Sequence, residues 1–377
     1  PLILSAGSLM RYLEHRKDGD LLVYFMPSTG GNCRFGQYNT FFNDLIRKKR
    51  IKDLAVYSMD TQNSYLGMGN SFNILILKGA LIYDAMYDIK NALKALAKDK
   101  EAAMGIFDKQ WHNIVFCLGE KGAGLYKVLE EAAAALKAIP LKHPLSEANT
   151  VAIMGEIYVR RDDFCCNPLS ERLAKKEIVA RTSSVLELFC YVDYLVKNKL
   201  IESNLGVSGK IEFFVKTFLQ RTYEKKIKGI LAGSGLYHNE AIDIEKIMKA
   251  GKNFIDEQLT GESIVVVGSA LNEIAESVSG VISVGPFACL PTRIIESILN
   301  GSMNLSTKKE LSGREFPGLK EVEELPFLSI EIDGTPFPPL IEAKIEAFCL
   351  QAKRLHKKIV ASHAEGEGSY LSSLHRR

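Results

Sequence analysis

The sequence predicts an α/β fold of two Rossmann-like parallel-sheet units with intervening helical segments. One observation is the alternation of short apolar runs of strand length with longer stretches of helical periodicity. A strand–helix–strand order of this kind gives a parallel sheet with right-handed crossovers. A second observation is a plan shared by the two halves, in which a buried strand leads into a cysteine-bearing loop and then a helix.

The first α/β unit is predicted over residues 1–142. The opening residues 1–7 read as a strand that enters a turn, and an opening on Pro inside a strand pattern indicates a piece of a longer protein. The remaining predictions are a strand at 21–26, a Pro/Ser/Gly loop at 27–36, a helix at 37–50, a strand at 54–58 and a helical block at 82–139.

The second unit is predicted over residues 143–363, after an interruption at 140–144 that contains two prolines. Its predicted strands are at 151–154, 178–180, 264–268, 280–284 and 327–332. Its predicted helices are at 168–176, 184–228 and 339–357. Residues 364–377, rich in Gly, Ser and charge, are predicted to be a disordered tail.

Composition narrows the function classes. Hydrophobic residues make up 46% of the 377 and charged residues 25%, which is typical of a globular protein. The net charge is only +3 and no long basic run occurs, so nucleic acid is not expected as a partner. No apolar run reaches the roughly 18 residues of a membrane span. An odd number of cysteines, seven, without a secretory signal favours a reducing, cytoplasmic location. No CxxC pair occurs, so zinc ribbons and thioredoxin-type redox sites are not expected.

The two cysteine loops are the candidate site. Cys33 and Cys289 each follow a predicted strand and precede a predicted helix. This order puts both sulfurs at the carboxyl edge of a sheet, where open α/β folds bind ligands. A helix amino end also favours a thiolate, which is the form that binds iron. A buried structural cysteine or a reactive thiol is the alternative interpretation, and spacing alone leaves it open.

Charged side chains near these loops are further candidates. Arg34 and Arg293 lie one to four residues beyond a cysteine, where a guanidinium could offset cluster charge or hold a carboxylate or phosphate. Glu156, Tyr158 and Arg160 follow a strand end and would share one side if the strand continued. A structural salt bridge explains them equally well.

Residues 27–38, which read PSTGGNCRFGQY, resemble a signature of acyl-CoA dehydratase activase-related proteins. These belong to the 2-hydroxyacyl-CoA dehydratase and benzoyl-CoA reductase group. Further blocks of the same family follow in the expected order over about residues 1–355, and Leu290 stands where the family has Met. They are GEIYVR at 155–160, Phe164, Asn167, PFACLP at 286–291, Asp333-Gly334 and Glu346-Ala347-Phe348.

The resemblance implies an iron–sulfur cluster, either [4Fe–4S] or double-cubane, with Cys33 and Cys289 among its ligands. Other ligands are expected upstream, so this segment would hold an incomplete set and bind a cluster weakly or not at all. The implied cluster or substrate environment comprises Arg34, Gln37, Tyr38, Glu156, Tyr158, Arg160, Asn167 and Arg293.

The resemblance also implies partners and a reaction. Upstream activase ATPase domains of the same chain would hydrolyse ATP and drive low-potential electron transfer to the cluster, and a homodimer is compatible with this arrangement. The segment alone is expected to be inactive. Two alternatives stay open: a non-catalytic scaffold that docks the ATPase, and a cluster-free α/β domain that binds a small molecule.

Overall fold

The computed structural model describes residues 2–17, 19–26, 34–58, 70–162, 169–201 and 207–365. Within these ranges the chain forms thirteen α-helices and six strands. The strands make a two-stranded and a four-stranded sheet, and every strand pair in them is parallel. The predicted α/β class with parallel sheets is therefore confirmed.

The small sheet follows the predicted strand–helix–strand order. Its elements are α1 (Leu2–Glu14), β1 (Leu22–Phe25), α2 (Tyr38–Lys49) and β2 (Leu54–Tyr57). Strand β1 pairs with β2 in the register Leu22 to Leu54, and Phe42 of α2 is fully buried in the core beneath them. The predictions of β1, α2 and β2 are confirmed.

The strand predicted at residues 1–7 is wrong, because this segment begins helix α1. Its apolar residues recur at helical spacing, and Leu9 lies in the core of the small sheet while Leu4 lies in a core of the four-stranded sheet. A short apolar run fits a strand as well as the start of a helix, and only the longer period separates the two. Helix α1 thus packs against both sheets.

The helical block is confirmed as three helices: α3 (Asn70–Leu96), α4 (Lys100–Gly119) and α5 (Leu125–Lys137). Asp99 caps α4 by accepting a hydrogen bond from the Ala102 N–H at 3.0 Å. The core of this block also contains residues from beyond position 143, among them Leu186 and Leu231. The division at 142/143 stays a prediction, since one core spans it.

The four-stranded sheet comprises β3 (Asn149–Gly155), β4 (Ile178–Thr182), β5 (Val281–Pro286) and β6 (Phe327–Ile332) in the order β4-β3-β5-β6. The chain leaves β3 to form β4 on one side and then returns to form β5 on the other. The strand order therefore reverses between β3 and β5, and ligands of open α/β sheets bind at the carboxyl ends of the strands at such a switch point.

The remaining helices connect and cover these strands. They are α6 (Leu169–Lys175), α7 (Leu186–Lys197), α8 (Val207–Ala232), α9 (Ile244–Gly251), α10 (Glu262–Glu276), α11 (Leu290–Ser302), α12 (Leu305–Ser312) and α13 (Pro339–Glu365). The predicted helices at 168–176 and 339–357 correspond to α6 and α13. The disordered tail predicted from 364 begins too early, because α13 reaches Glu365, and 366–377 lie outside the described residues.

The strand predicted at residues 264–268 is also wrong, because this segment lies inside helix α10. A run of Ile and Val favours a strand locally, but a helix that is buried all round carries the same apolar run. Helix α10 packs tightly on α9, where a Cβ at Gly268 would lie 2.0 Å from the Ile247 carbonyl oxygen. That close contact between helices explains the glycine at the end of the run.

Candidate functional site

The candidate site is the crevice at the carboxyl ends of β3 and β5. Gly155 ends β3 with a φ of +109°, and its backbone passes so close to β5 that a Cβ would lie 1.9 Å from the Val284 carbonyl oxygen. The same oxygen accepts a hydrogen bond from the Glu156 N–H at 2.9 Å. β3 is thus joined to β5 up to its last residue, and the last two residues of β5 pair with β6. Both loops that follow therefore start from fixed positions.

The Cys289 loop follows β5 as predicted. Cys289 is the N-cap residue of α11, and the loop before it turns through Ala288, which has a φ of +58°. The loop is held to β6 by the Phe287 N–H, which donates to the Ile332 carbonyl at 3.0 Å, and by the Ala288 N–H, which donates to Glu331 at 3.2 Å. The Cys289 side chain is partly exposed at the carboxyl edge.

A buried hydroxyl lies beside this cysteine. Thr292 is 1% exposed, and apart from its interaction with the Cys289 thiol its hydroxyl makes no hydrogen bond among the described residues. Gly285 lies against it, since a Cβ there would approach the Thr292 Oγ1 to 2.2 Å. Thr292 therefore fills the space beneath the Cys289 loop.

The electrostatics of Cys289 combine opposing influences. Burial raises the pKa of its thiol, the hydroxyl and N–H of Thr292 lower it, and the carboxylates of Glu262 and Glu156 raise it further. Burial, together with the neighbouring Glu156, raises the pKa of Glu262 itself to about 8, while Arg160 opposes this shift. The crevice is therefore rich in acid groups, and the thiol is held in its protonated form in the absence of a cation.

Two large apolar side chains flank the cysteine. Phe287 is 71% exposed and Leu290 is 67% exposed, although each is next or nearly next to the partly buried Cys289. Isolated exposed apolar side chains are common, but two beside one candidate ligand would limit the access of water to anything bound there.

Glu156, Tyr158 and Arg160 follow β3 in a turn. The strand ends at Gly155 and a short 3-10 helix covers Val159–Arg161, so the strand alternation considered from sequence does not apply. Glu156 accepts a hydrogen bond from the Val159 N–H at 2.8 Å. Arg160 is 4% exposed and donates to the carbonyls of Gly155 at 2.8 Å and Ser184 at 3.0 Å. Arg160 thus ties the end of β3 to the segment after β4.

A residue that the sequence interpretation did not single out is Arg161. Its guanidinium forms a buried ion pair with Asp84 of α3 at 2.9 Å and lies over the rings of Tyr83 and Tyr87. Asp84 in turn accepts from the N–H groups at the start of α7, beginning with Val185 at 3.2 Å. No motif marks this pair, because its members are 77 positions apart in the chain.

The other residues predicted to surround a cluster or substrate lie in different parts of the described structure. Arg34 and Gln37 are exposed in a short 3-10 helix before α2, and Tyr38 is buried in the core of the small sheet. Tyr158 is partly buried against the core of the main sheet. Arg293 is paired with the carboxylates of Glu296 and Glu331. Their predicted roles beside a cluster stay predictions.

Cys33 and Asn167 lie outside the described residues, as do the adjacent Cys165 and Cys166. Cys289 fits the position of a cluster ligand, because this residue is partly exposed and follows the carboxyl end of β5. Among the residues that the structure describes, no three His, Cys, Asp or Glu side chains come together to hold a metal ion. A full ligand set would therefore need Cys33 or sulfurs beyond the described ranges.

A scan of protein-family models found no match to the chain, and neither the curated proteins nor the solved structures contain a match. The family resemblance thus stays a prediction from residues 27–38 and the blocks that follow. In the described part of the chain, no helix combines the length and the apolar character needed to cross a membrane.

Proposed function

We propose that this chain is an iron–sulfur cluster-binding module of an ATP-dependent activase/2-hydroxyacyl-CoA dehydratase-like protein, with Cys289 and Cys33 as cluster ligands. The observation that carries the proposal is the location of Cys289. It is the N-cap residue of helix α11 and follows the carboxyl end of β5, next to the point where the strand order reverses. The proposal for Cys33 rests on the resemblance of residues 27–38.

Three features of the described residues support Cys289 as a ligand. Its loop is braced to β6 through Phe287 and Ala288, which limits movement of the sulfur. It lies at a helix amino end, where free N–H groups stabilise a thiolate once iron replaces the thiol proton. The exposed rings and methyls of Phe287 and Leu290 can cover a bound inorganic group.

When bound, such a cluster would supply low-potential electron transfer, with ATP hydrolysis by partner domains as its energy source. The contribution of this chain is to hold the sulfur and to set the surrounding polarity. The Thr292 hydroxyl and N–H lower the pKa of Cys289 and so favour the ligating thiolate, whereas Glu262 and Glu156 oppose it. When a cation binds at Cys289, the same two carboxylates become favourable, because they attract its positive charge.

The test is anaerobic reconstitution of the full chain with iron and sulfide. Because the segment holds only part of the expected ligand set, we expect the wild-type chain to retain iron and sulfide weakly. We expect the combined Cys33→Ser and Cys289→Ser variant to lose at least about tenfold in retained iron, as when thiolate ligands are removed from a metal site. Cys349→Ala is the control, since Cys349 is a buried cysteine of helix α13 that lies in the hydrophobic core.

Equal iron and sulfide in the double variant and the wild-type chain would rule out the proposed ligands. A wild-type chain that retains neither would leave the segment without a cluster of its own. The alternative of a scaffold that docks the ATPase would then be favoured. It has support of its own, because Val115 and Phe116 of α4 are exposed on the helical block. A partner-docking module needs such apolar surface.

A further inference from the structure

One side of helix α8 carries exposed apolar and cationic side chains in two adjoining groups. The rows Phe214–Phe218–Thr222 and Phe218–Arg221–Lys225 advance by three or four residues a step, so their members lie on one side of the helix. All five residues are exposed, and we call this set the α8 face. Its first half is apolar, with Phe214 72% and Phe218 62% exposed, and its second half carries two positive charges.

The apolar half of the α8 face is not part of a core. The opposite side of the helix supplies Ile227 and Leu231 to the core of the helical block, and both are fully buried. That side holds α8 in the fold, and the rings of Phe214 and Phe218 are left in water. Isolated exposed apolar side chains are common, but two large rings on successive turns form a continuous patch of the kind that marks an interaction site.

The polar groups beside the rings restrict what can cover them. The Thr222 hydroxyl donates to the Phe218 carbonyl at 2.9 Å, so it needs no partner from outside the helix. Arg221 and Lys225 differ, since neither side chain forms a hydrogen bond or an ion pair with another described residue. An apolar surface laid over them would remove two charges from water without compensation.

The two cations of the α8 face do not stabilise the helix itself. Like charges four residues apart destabilise a helix, and the last turn of α8, where a cation would favour the helix dipole, contains no basic residue. Neighbouring charges are engaged elsewhere. Glu224 pairs with Lys228 at 2.7 Å on the buried side, and the Lys226 Nζ lies 3.7 Å from the centre of the Tyr126 ring. The two cations are therefore left for a partner.

We propose that the α8 face docks an acidic amphipathic helix of a partner protein. The apolar side chains of that helix cover the rings of Phe214 and Phe218, and two of its carboxylates pair with Arg221 and Lys225. Arg221 and Lys225 are one helical turn apart, so the carboxylates need the same spacing. Charge complementarity selects this occupant, because a purely apolar or a basic partner would bury the two cations unpaired.

The first experiment measures the binding of two matched helical peptides to the full chain by fluorescence anisotropy. Both peptides have about 20 residues and a row of leucines, and beside that row one carries glutamates and the other lysines at every fourth position. We expect the glutamate peptide to bind at least about tenfold more tightly, and added salt to weaken its binding, because exposed charges are screened. Equal affinities for the two peptides overturn the proposal.

Substitutions on the α8 face locate the binding site. The combined Arg221→Glu and Lys225→Glu variant is expected to reverse the preference, so that the lysine peptide binds more tightly. The combined Phe214→Ser and Phe218→Ser variant should bind the glutamate peptide at least about tenfold more weakly. Phe116→Ser on α4 is the control, because it removes a ring that is 65% exposed and should change the affinity by less than about twofold. A folded charge-reversal variant that still prefers the glutamate peptide contradicts the proposal.

Two other occupants give different results. If a second copy of the chain covers the α8 face, sedimentation shows a self-association that the Phe214→Ser and Phe218→Ser variant loses. If a membrane surface covers it, the chain binds vesicles of phosphatidylserine and phosphatidylcholine and not the glutamate peptide. Either result overturns the proposal. All these variants keep Cys33 and Cys289, so iron retention tests the proposed function separately.

Discussion

Arg161→Met is expected to lower the free energy of unfolding by about 3–5 kcal/mol, the usual cost of removing one partner of a buried ion pair. Both side chains of the Arg161–Asp84 pair are 5% exposed. Arg161 also donates to the carbonyls of Thr182, the last residue of β4, at 3.2 Å and of Ser183, which follows it, at 2.8 Å. The substitution leaves the Asp84 charge buried without its partner. It also removes the connection between α3, β3 and β4. Urea unfolding of both proteins measures the difference.

Two further variants make this prediction specific. Lys127→Met removes one partner of an exposed pair with Glu131, at 4.0 Å, and should change stability by less than about 1 kcal/mol. Adding Asp84→Leu to Arg161→Met should recover part of the loss, because no uncompensated charge then remains buried. A loss below about 1 kcal/mol in Arg161→Met would show that Asp84 is neutralised by other means.

Gly155→Ala is expected to lower the free energy of unfolding by about 2–6 kcal/mol. About 1–3 kcal/mol of this comes from an unfavourable φ and about 1–3 kcal/mol from overpacking. The new Cβ would lie 1.9 Å from the Val284 carbonyl oxygen, which already accepts from the Glu156 N–H at 2.9 Å. The end of β3 must therefore move away from β5. Because the crevice opens between these strands, iron retained after reconstitution should fall together with the unfolding midpoint.

Gly235→Ala is the control for backbone strain alone. Gly235 also has a positive φ, +72°, but nothing lies within 4 Å of the position of a Cβ. The Gly235→Ala variant should lose only about 1–2 kcal/mol of its free energy of unfolding, the cost of a left-handed conformation for an L-residue. Equal losses in the two alanine variants would show that contact with Val284 contributes nothing.

Part of the candidate site could be predicted from sequence. The apolar run at 280–284 predicted β5, and the Gly/Pro-containing segment after it predicted a loop before a helix. This order was enough to locate Cys289 at the carboxyl edge. The conformation after Gly155 was not predictable in the same way, because the chain turns there to meet β5 instead of continuing as a strand.

The sequence by itself determined the parallel α/β class, most strands and the helical block, since these depend on short-range periodicity of apolar residues. Tertiary structure decided the rest. Residues 264–268 have a strand-like composition but are helical because α10 is surrounded by other elements, and α1 is helical where seven residues read as a strand. The Arg161–Asp84 pair and the acid groups that act on Arg160 bring together segments that are far apart in the chain. The periodicity of a single segment therefore cannot predict them.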